Sequence, residues 1–306
     1  MEKIKRLSSR KDLEKLRQEI KNNRDPRQRI VSVSVSTCCV ALGALKVVEA
    51  FKTELEKQGL KDKVRLKDTG CSGFCEQGPA VTIYPEEIFY FKVKPEDVPE
   101  IVTKTIKGKQ ILEKFLYRDP ATGKRSQKLQ DIPSYKHQLR LLTENSGKID
   151  PRNIEDYIAV DGYSALEKTL FEMSPDQVVK EVKKANLRGR GGGGFPTWIK
   201  WETTRNAEDE IKYVIVNCDE GDPGAFMDRS LMEDNPHSVL EGLIIGAYAI
   251  GAHQGYVYVR EEYPIAAENI SIAIKQAEEF GLLGDDIMGS GFSFRVKVHR
   301  GAGAFV

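Results

Sequence analysis

The sequence has no excess of either charge. Forty-seven Lys and Arg stand against 46 Asp and Glu, a formal net charge of +1, so no global field draws the chain to nucleic acid or to an anionic membrane, and partners must be recognised locally. A long hydrophobic run is missing too. The most apolar stretch, Leu243 to Ala252, is broken by Gly246 and Gly251 and is roughly half the ~20 residues a membrane-spanning helix needs. The N-terminus, with Lys3, Lys5, Arg6, Arg10 and Lys11, lacks the apolar core of a secretory signal. A reducing cytoplasm is therefore the expected compartment, where the five cysteines are not expected to form disulfides. What is present is a chain of 306 residues, 40% hydrophobic and 30% charged, enough for two domains with their own cores and too structured in composition for a fibre or a disordered chain.

The cysteines are unevenly spread. Cys38, Cys39, Cys71 and Cys75 share the first quarter of the chain, which asks for a metal or a cluster. Cys218, alone in Val-Ile-Val-Asn-Cys-Asp, reads as an inert strand-end residue. Residues 1–29 hold eleven Lys or Arg and five acids, with Leu13, Leu16 and Ile20 at helical spacing behind Ser9 and Asp12, and predict a basic amphipathic helix. Over residues 30–107, Val31, Val33 and Val35 alternate with Ser32, Ser34 and Ser36, the period of a half-buried strand. A helical pattern follows to Gly59, then a strand from Val64, a Cys-Ser-Gly-Phe-Cys loop, strands at Val81 to Tyr84 and Phe89 to Val93, and a helix from Pro95 to Ile106. That order predicts a small α/β domain of thioredoxin type. Residues 108–150 are charged, aperiodic and rich in breakers, and read as a connector. Residues 151–306 form the last predicted domain.

That domain opens with Ser174-Pro175-Asp176-Gln177, a capping box with Pro at the first helical position. The helix it launches runs into Gly189-Arg190-Gly191-Gly192-Gly193-Gly194, and a second helical pattern follows from Trp198 to Thr204. A helix precedes the glycines where a dinucleotide fold would place a strand, and no Lys-Ser or Lys-Thr follows them, so neither a Rossmann entry nor a P-loop is present. Bare backbone N–H groups beside a helix N-terminus can still approach a phosphate or a flat ring; a flexible hinge is the alternative. Lys212 to Val216 reads as a buried strand discharging into Asn217-Cys218-Asp219-Glu220-Gly221-Asp222-Pro223-Gly224. Gly255 to Val259 is a second strand, ending in Arg260-Glu261-Glu262-Tyr263. Helical Leu240 to Ile250 between them predicts a βαβ crossover that brings both acidic strand ends to one sheet edge. Such an edge can accept hydrogen bonds from ligand hydroxyls or ring N–H groups, hold a divalent metal, or form a solvated turn.

Leu187 to Thr197, Asn217 to Gly224, Tyr258 to Tyr263 and Gly301-Ala302-Gly303-Ala304-Phe305 together resemble the NADH-oxidising flavoprotein subunit of respiratory complex I. The fused N-terminal domain is similar to that in the flavoprotein subunits of NAD-linked, often electron-bifurcating hydrogenases. The resemblance implies an α/β protein with a thioredoxin-like ferredoxin domain followed by an FMN-binding domain. It implies FMN on the glycine loop, with Lys200, Asn217, Asp219, Glu220, Tyr258 and Glu262 around the flavin. Phe195 would stack near NADH, and Asp222 would face the nucleotide. Hydride would pass from NADH to FMN, which releases single electrons to iron–sulfur clusters, and the partners would be other iron–sulfur subunits of a complex.

The same resemblance implies a [2Fe–2S] cluster held by a C-x4-C pair and a C-x3-C pair. Cys71 and Cys75 fit the second pair, but counting back from Cys39 reaches Ser34, so Cys38 or Ser34 would complete the set. Zinc or an empty site is the alternative by ligand chemistry. Trp198 and Ile199 stand where the family usually has Gly and Leu. The chain ends at Val306, where the family continues with a Cys-Gly-Glu-Glu segment. The expectation is an NADH:acceptor oxidoreductase subunit that is inactive as the isolated chain; the alternative is a non-catalytic, partner-binding remnant.

Overall fold

The computed structural model describes residues 6–222 and 224–303. The first five residues of the basic stretch, Pro223 of the acidic loop and Ala304 to Val306 of the terminal segment lie outside the described residues. The chain divides into two compact units, one of residues 22–153 with 233–235, the other of residues 1–21, 154–232 and 236–306.

The unit built on residues 22–153 contains a four-stranded sheet of β1 (Arg29–Ser34), β2 (Val64–Thr69), β3 (Val81–Tyr84) and β4 (Ile88–Tyr90) in the order β2-β1-β3-β4. β1 and β2 are parallel, so the chain crosses over between them through helices Thr37–Ala41 and Ala44–Lys57, joined at Gly43 with φ 93°. The remaining pairs are antiparallel. Val31, Val33, Val48, Phe51, Ile83, Tyr90, Val98 and Ile101 make the core. This is the thioredoxin-like order expected. One detail differs: Ser32 and Ser34 are buried as fully as their valine neighbours, because β1 is an interior strand covered on both faces.

Residues 115–135 lie along β4, and Gly147 and Lys148 lie at Ser72 and Lys67. A short hairpin of β5 (Tyr117–Arg118) and β6 (Arg125–Ser126) is followed by a turn that seats Ile132 and Tyr135 against Phe89 and Phe91. Backbone N–H groups of Phe89 and Phe91 donate to Gln127 O (2.8 Å) and Phe115 O (2.9 Å), which satisfies an edge that would otherwise be open to pairing.

The other unit has a parallel sheet in the order β7 (Tyr213–Cys218), β8 (Gln254–Arg260), β9 (Arg295–Gly301). Helices Pro236–Ile250 and Pro264–Phe280 make the two crossovers and pack against each other, so the expected βαβ connection is present. β7 corrects the expectation of a buried strand. It is an edge strand whose face bearing Tyr213, Ile215 and Asn217 is open, with Ile215 61% exposed, and an apolar run alone does not tell whether both faces of a strand are covered. The basic helix Arg10–Asn22 buries Leu13, and its cations pair within this unit: Arg10 with Glu167 (2.9 Å) and Glu172 (2.8 Å), Lys21 with Asp161 (2.8 Å). No described helix is long and apolar enough to cross a membrane.

Candidate functional site

Cys38 and Cys39 sit on the helical turn Thr37–Ala41 that follows β1, and Cys71 and Cys75 bracket the loop after β2. The adjacent pair thus lies within one short helix. The thiols meet pairwise: Cys71 contacts Cys39, while Cys75 contacts both Cys71 and Cys38. The hydrogen bond to Cys39, with burial, pushes the Cys71 thiol far above its ordinary range. Burial, reinforced by Cys71 and Cys38, pushes Cys75 up to about 12. Without metal the Cys71 and Cys75 sulfurs hold their protons, and metal binding must displace them. Among the described residues no three His, Cys, Asp or Glu converge as ligands of one ion would. Four thiols in contact, Cys39 with Cys71, Cys71 with Cys75 and Cys75 with Cys38, supply the set of cysteine donors that a two-iron cluster takes. Ser34 is buried in β1, in register with Thr69.

The loop between Cys71 and Cys75 is anchored on several sides. Phe74 packs on Phe91 (ring centroids 5.4 Å) and stacks on Tyr135 (5.8 Å, 19°). Cys71 N donates to the buried Asp234 Oδ1 at 3.0 Å, and Gly73 N donates to Cys71 Sγ at 3.2 Å. Arg140 lies over the Tyr135 ring at 4.2 Å. None of Asp234, Tyr135 or Arg140 was apparent from the sequence, because they come from segments with no motif.

The glycine loop behaves differently. Its capping-box helix Pro175–Lys184 forms as expected, with Ser174 N donating to Gln177 Oε1 (2.7 Å), and helix Thr197–Asn206 follows the loop. The neck is closed by Gly189 N to Phe195 O (2.9 Å), Thr197 N to Leu187 O (3.0 Å) and Arg188 Nη1 to Gly194 O (3.2 Å). Inside the neck, a Cβ added at Gly191, Gly192, Gly193 or Gly194 would meet no protein atom within 4 Å, although Gly192 and Gly194 need their glycine conformations at φ 97° and 58°. Gly189, Arg190 and Gly191 to Gly193 are exposed. Packing therefore does not explain the run of glycines, whereas a cradle for a ligand does. Lys200 Nζ lies 5.7 Å from the Phe195 ring centroid, so these two expected site residues come together. Trp198 turns instead onto Lys183, whose Nζ is 3.9 Å from its ring, and onto the Val178 and Val179 cluster.

Strand register aligns the remaining residues. Asn217 pairs with Tyr258, and Tyr258 with His299, so all three share the open face near the C-terminal strand ends. The Tyr258 and His299 rings stack at 5.5 Å and 16°, a contribution from β9 that was not anticipated. Gly301 is demanded by this row, because a Cβ there would collide with the Tyr258 hydroxyl. Asn217 Oδ1 accepts from Asp219 N (3.0 Å). The Asp219 carboxylate is 6% exposed and its Oδ1 has no hydrogen-bond partner; Arg260 Nη1, at 3.7 Å, is close enough for an ion pair but too far to donate. A buried acceptor without a donor fits a ligand that brings one. Glu220 is committed elsewhere: its carboxylate accepts from the N–H groups of Met227, Asp228 and Arg229 and caps helix Met227–Asp234. Glu262 pairs with Arg260 at 2.7 Å, which holds its carboxyl below the ordinary value. Asp222 is exposed on the loop. Cys218 is buried against Met232 Sδ (2.8 Å), and burial pushes its thiol up to about 12, consistent with an inert role.

Residues 21–106 match the thioredoxin-like [2Fe–2S] ferredoxin family, and residues 182–306 match the Nuo51 FMN-binding domain. Among curated relatives, the NADP-reducing hydrogenase subunit HndC of Solidesulfovibrio fructosivorans is 54% identical over 171 residues, 56% of this chain and 34% of the relative. An NADH-quinone oxidoreductase subunit of Rhizobium meliloti is 49% identical over 166 residues, 54% of this chain and 39% of the relative. The NAD-reducing hydrogenase HoxS subunit alpha of Cupriavidus necator is 36% identical over 242 residues, 79% of this chain and 38% of the relative. The matched region thus spans between 34% and 39% of the length of these relatives.

Proposed function

Because residues 21–106 are a thioredoxin-like [2Fe–2S] ferredoxin domain and residues 182–306 a Nuo51 FMN-binding domain, we propose that the chain is an electron-entry component of an NADH:acceptor oxidoreductase. The chemistry belongs to the cofactors: FMN links the two-electron oxidation of NADH to single-electron steps, and the cluster carries one electron at a time. The chain's own residues bind and orient them. Gly189 to Gly194 and Arg190 would present backbone to FMN, with Lys200, Asn217, Asp219 and Tyr258 around the ring and ribityl chain. Glu262 would also stand in the flavin shell, Phe195 and Asp222 would border the nucleotide, and Glu220 would act through the helix it caps. Cys38, Cys39, Cys71 and Cys75 would ligate the cluster. The partners are further iron–sulfur subunits, and five free thiols fit a reducing cytoplasm.

The buried Asp219 Oδ1 without a donor carries the FMN reading. Reconstitution with FMN, followed by quenching of flavin fluorescence, tests it. Residues 189–193 and Phe195, the latter 48% exposed, stand open to water, and weak binding and negligible NADH-driven dye reduction are expected of the 306-residue chain. Asp219→Leu should abolish the residual binding. Absence of flavin uptake, or uptake indifferent to Asp219→Leu, would overturn the assignment.

A further inference from the structure

We propose that Arg140 sets the reduction potential of the cluster, holding it higher than the cysteine loop would by itself. The proposal rests on the reading that Cys38, Cys39, Cys71 and Cys75 hold a [2Fe–2S] group. Arg140 belongs to the stretch that reads as a connector, yet its guanidinium lies over Tyr135 at 4.2 Å, and Tyr135 stacks on Phe74, inside the Cys71 to Cys75 loop. On the same loop, Arg140 Nη2 would be 3.4 Å from a Cβ at Gly73. This ladder of three side chains fixes a cation beside the loop. No ion pair within 4 Å is found for Arg140 among the described residues; Asp234, which accepts from Cys71 N, acts on it through space.

The direction follows from charge. One electron enters a two-iron cluster on reduction, no bond is made or broken, and the cluster becomes one unit more negative. A fixed cation nearby stabilises the reduced form more than the oxidised form, so the potential rises, and partial burial keeps solvent from screening the effect away. Arginine suits the position because it stays charged while lying flat on a ring.

The test is an anaerobic redox titration of the full chain reconstituted with iron and sulfide, followed by EPR, with iron content measured on each sample. Arg140→Gln should lower the reduced-to-oxidised ratio at fixed potential by about threefold or more, ~28 mV at 59 mV per decade for one electron. Arg140→Glu should roughly double that shift, and Arg140→Lys should restore at least half of it. Tyr135→Leu removes the platform and should shift the potential the same way, which provides a second reading should Arg140→Gln not fold. A progression with charge is not what a merely structural defect produces. Full iron content with an unchanged potential in Arg140→Gln and Arg140→Glu would overturn the proposal alone. A wild-type chain that takes up no iron would overturn the cysteine assignment and this proposal with it.

Discussion

The cysteine loop and the glycine loop hold their ends of the chemistry in opposite ways. Between Cys71 and Cys75 the chain is fastened from several directions, by Phe74 in an aromatic cluster and by Asp234 on the Cys71 N–H. Between Gly189 and Phe195 the described hydrogen bonds gather at the neck, and a Cβ added at any glycine from Gly191 to Gly194 would touch nothing of the protein. Four sulfurs that hold a cluster, as proposed, would have to converge, so their loop has to be built in advance. A backbone cradle needs only to be approachable. The first site should therefore fail when side chains are removed, and the second when they are added.

The largest effect comes from removing sulfur. Cys39→Ala or Cys71→Ala should eliminate the cluster, read as loss of iron and of the visible absorbance of the reconstituted protein, because each contacts the other within the thiol row. Cys38→Ala should bleach the cluster or shift its EPR signal, and Ser34→Ala should leave it unchanged. The reverse pattern would move the fourth ligand to Ser34.

Next in size is a buried carboxylate that holds up the unit carrying the glycine loop. Glu241 accepts from Tyr157 OH (2.6 Å), Tyr163 N (2.8 Å) and Leu166 N (2.9 Å), and so ties helices Ile154–Ala159 and Ser164–Glu172 to helix Pro236–Ile250. Glu241→Ala leaves three buried donors unpaired and should cost ~3–5 kcal/mol in urea unfolding. A loss under about 1 kcal/mol would show that water replaces the carboxylate.

Much of this was legible in the sequence, and the reasons for the rest are physical. Alternation in Val31 to Ser36, the apolar spacing of the helices and the breaker-rich turns specify the order of elements, and the Cys and Gly clusters mark the two proposed chemical centres. Glu241 was not legible, since a single acid in an apolar helix looks like a solvated position until its three donors arrive from residues 157–166. Arg140 and Tyr135 were not, since their segment has no period and acquires meaning only by packing on β4. Nor was His299, which reaches Tyr258 through strand register. Local pattern reports which face a residue occupies; it does not report what lies opposite.

A smaller effect concerns pH. His237 is buried, with Nδ1 2.8 Å from Tyr163 OH and Nε2 3.1 Å from Gln276 Oε1. Gln276 Oε1 also accepts from Ile154 N, so it is an acceptor for His237 as well, Nε2 carries the proton, and Nδ1 accepts from the tyrosine. Burial pulls the imidazole down from 6.5 to about 4. Between those values the unfolded chain binds a proton that the folded chain refuses, so stability is complete above pH 6.5 and falls as pH drops towards 4, by ~3 kcal/mol in all. Urea midpoints at pH 7 and pH 4.5 should therefore diverge more in the wild type than in His237→Gln. Parallel slopes would mean that the folded imidazole takes up a proton as readily as the unfolded one.

The smallest change in stability gives the sharpest test of the comparison. Gly193 has no positive φ, and a Cβ there meets nothing within 4 Å, unlike Gly192 and Gly194, whose conformations would strain any other residue. Gly193→Ala should leave the fold unharmed and, by restricting the unfolded chain, stabilise it by about 0.4–1 kcal/mol. The same methyl group would stand where a cofactor approaches bare backbone, so FMN affinity should fall while the melting temperature holds or rises. Gly192→Ala should lower both, because backbone strain is added to the lost approach. Measuring flavin affinity and melting temperature for the two variants side by side separates a cradle from a hinge: a Gly193→Ala protein that binds FMN as the wild type does would leave the loop as a joint between two helices, and the contrast with the cysteine loop would no longer be one between two cofactor sites.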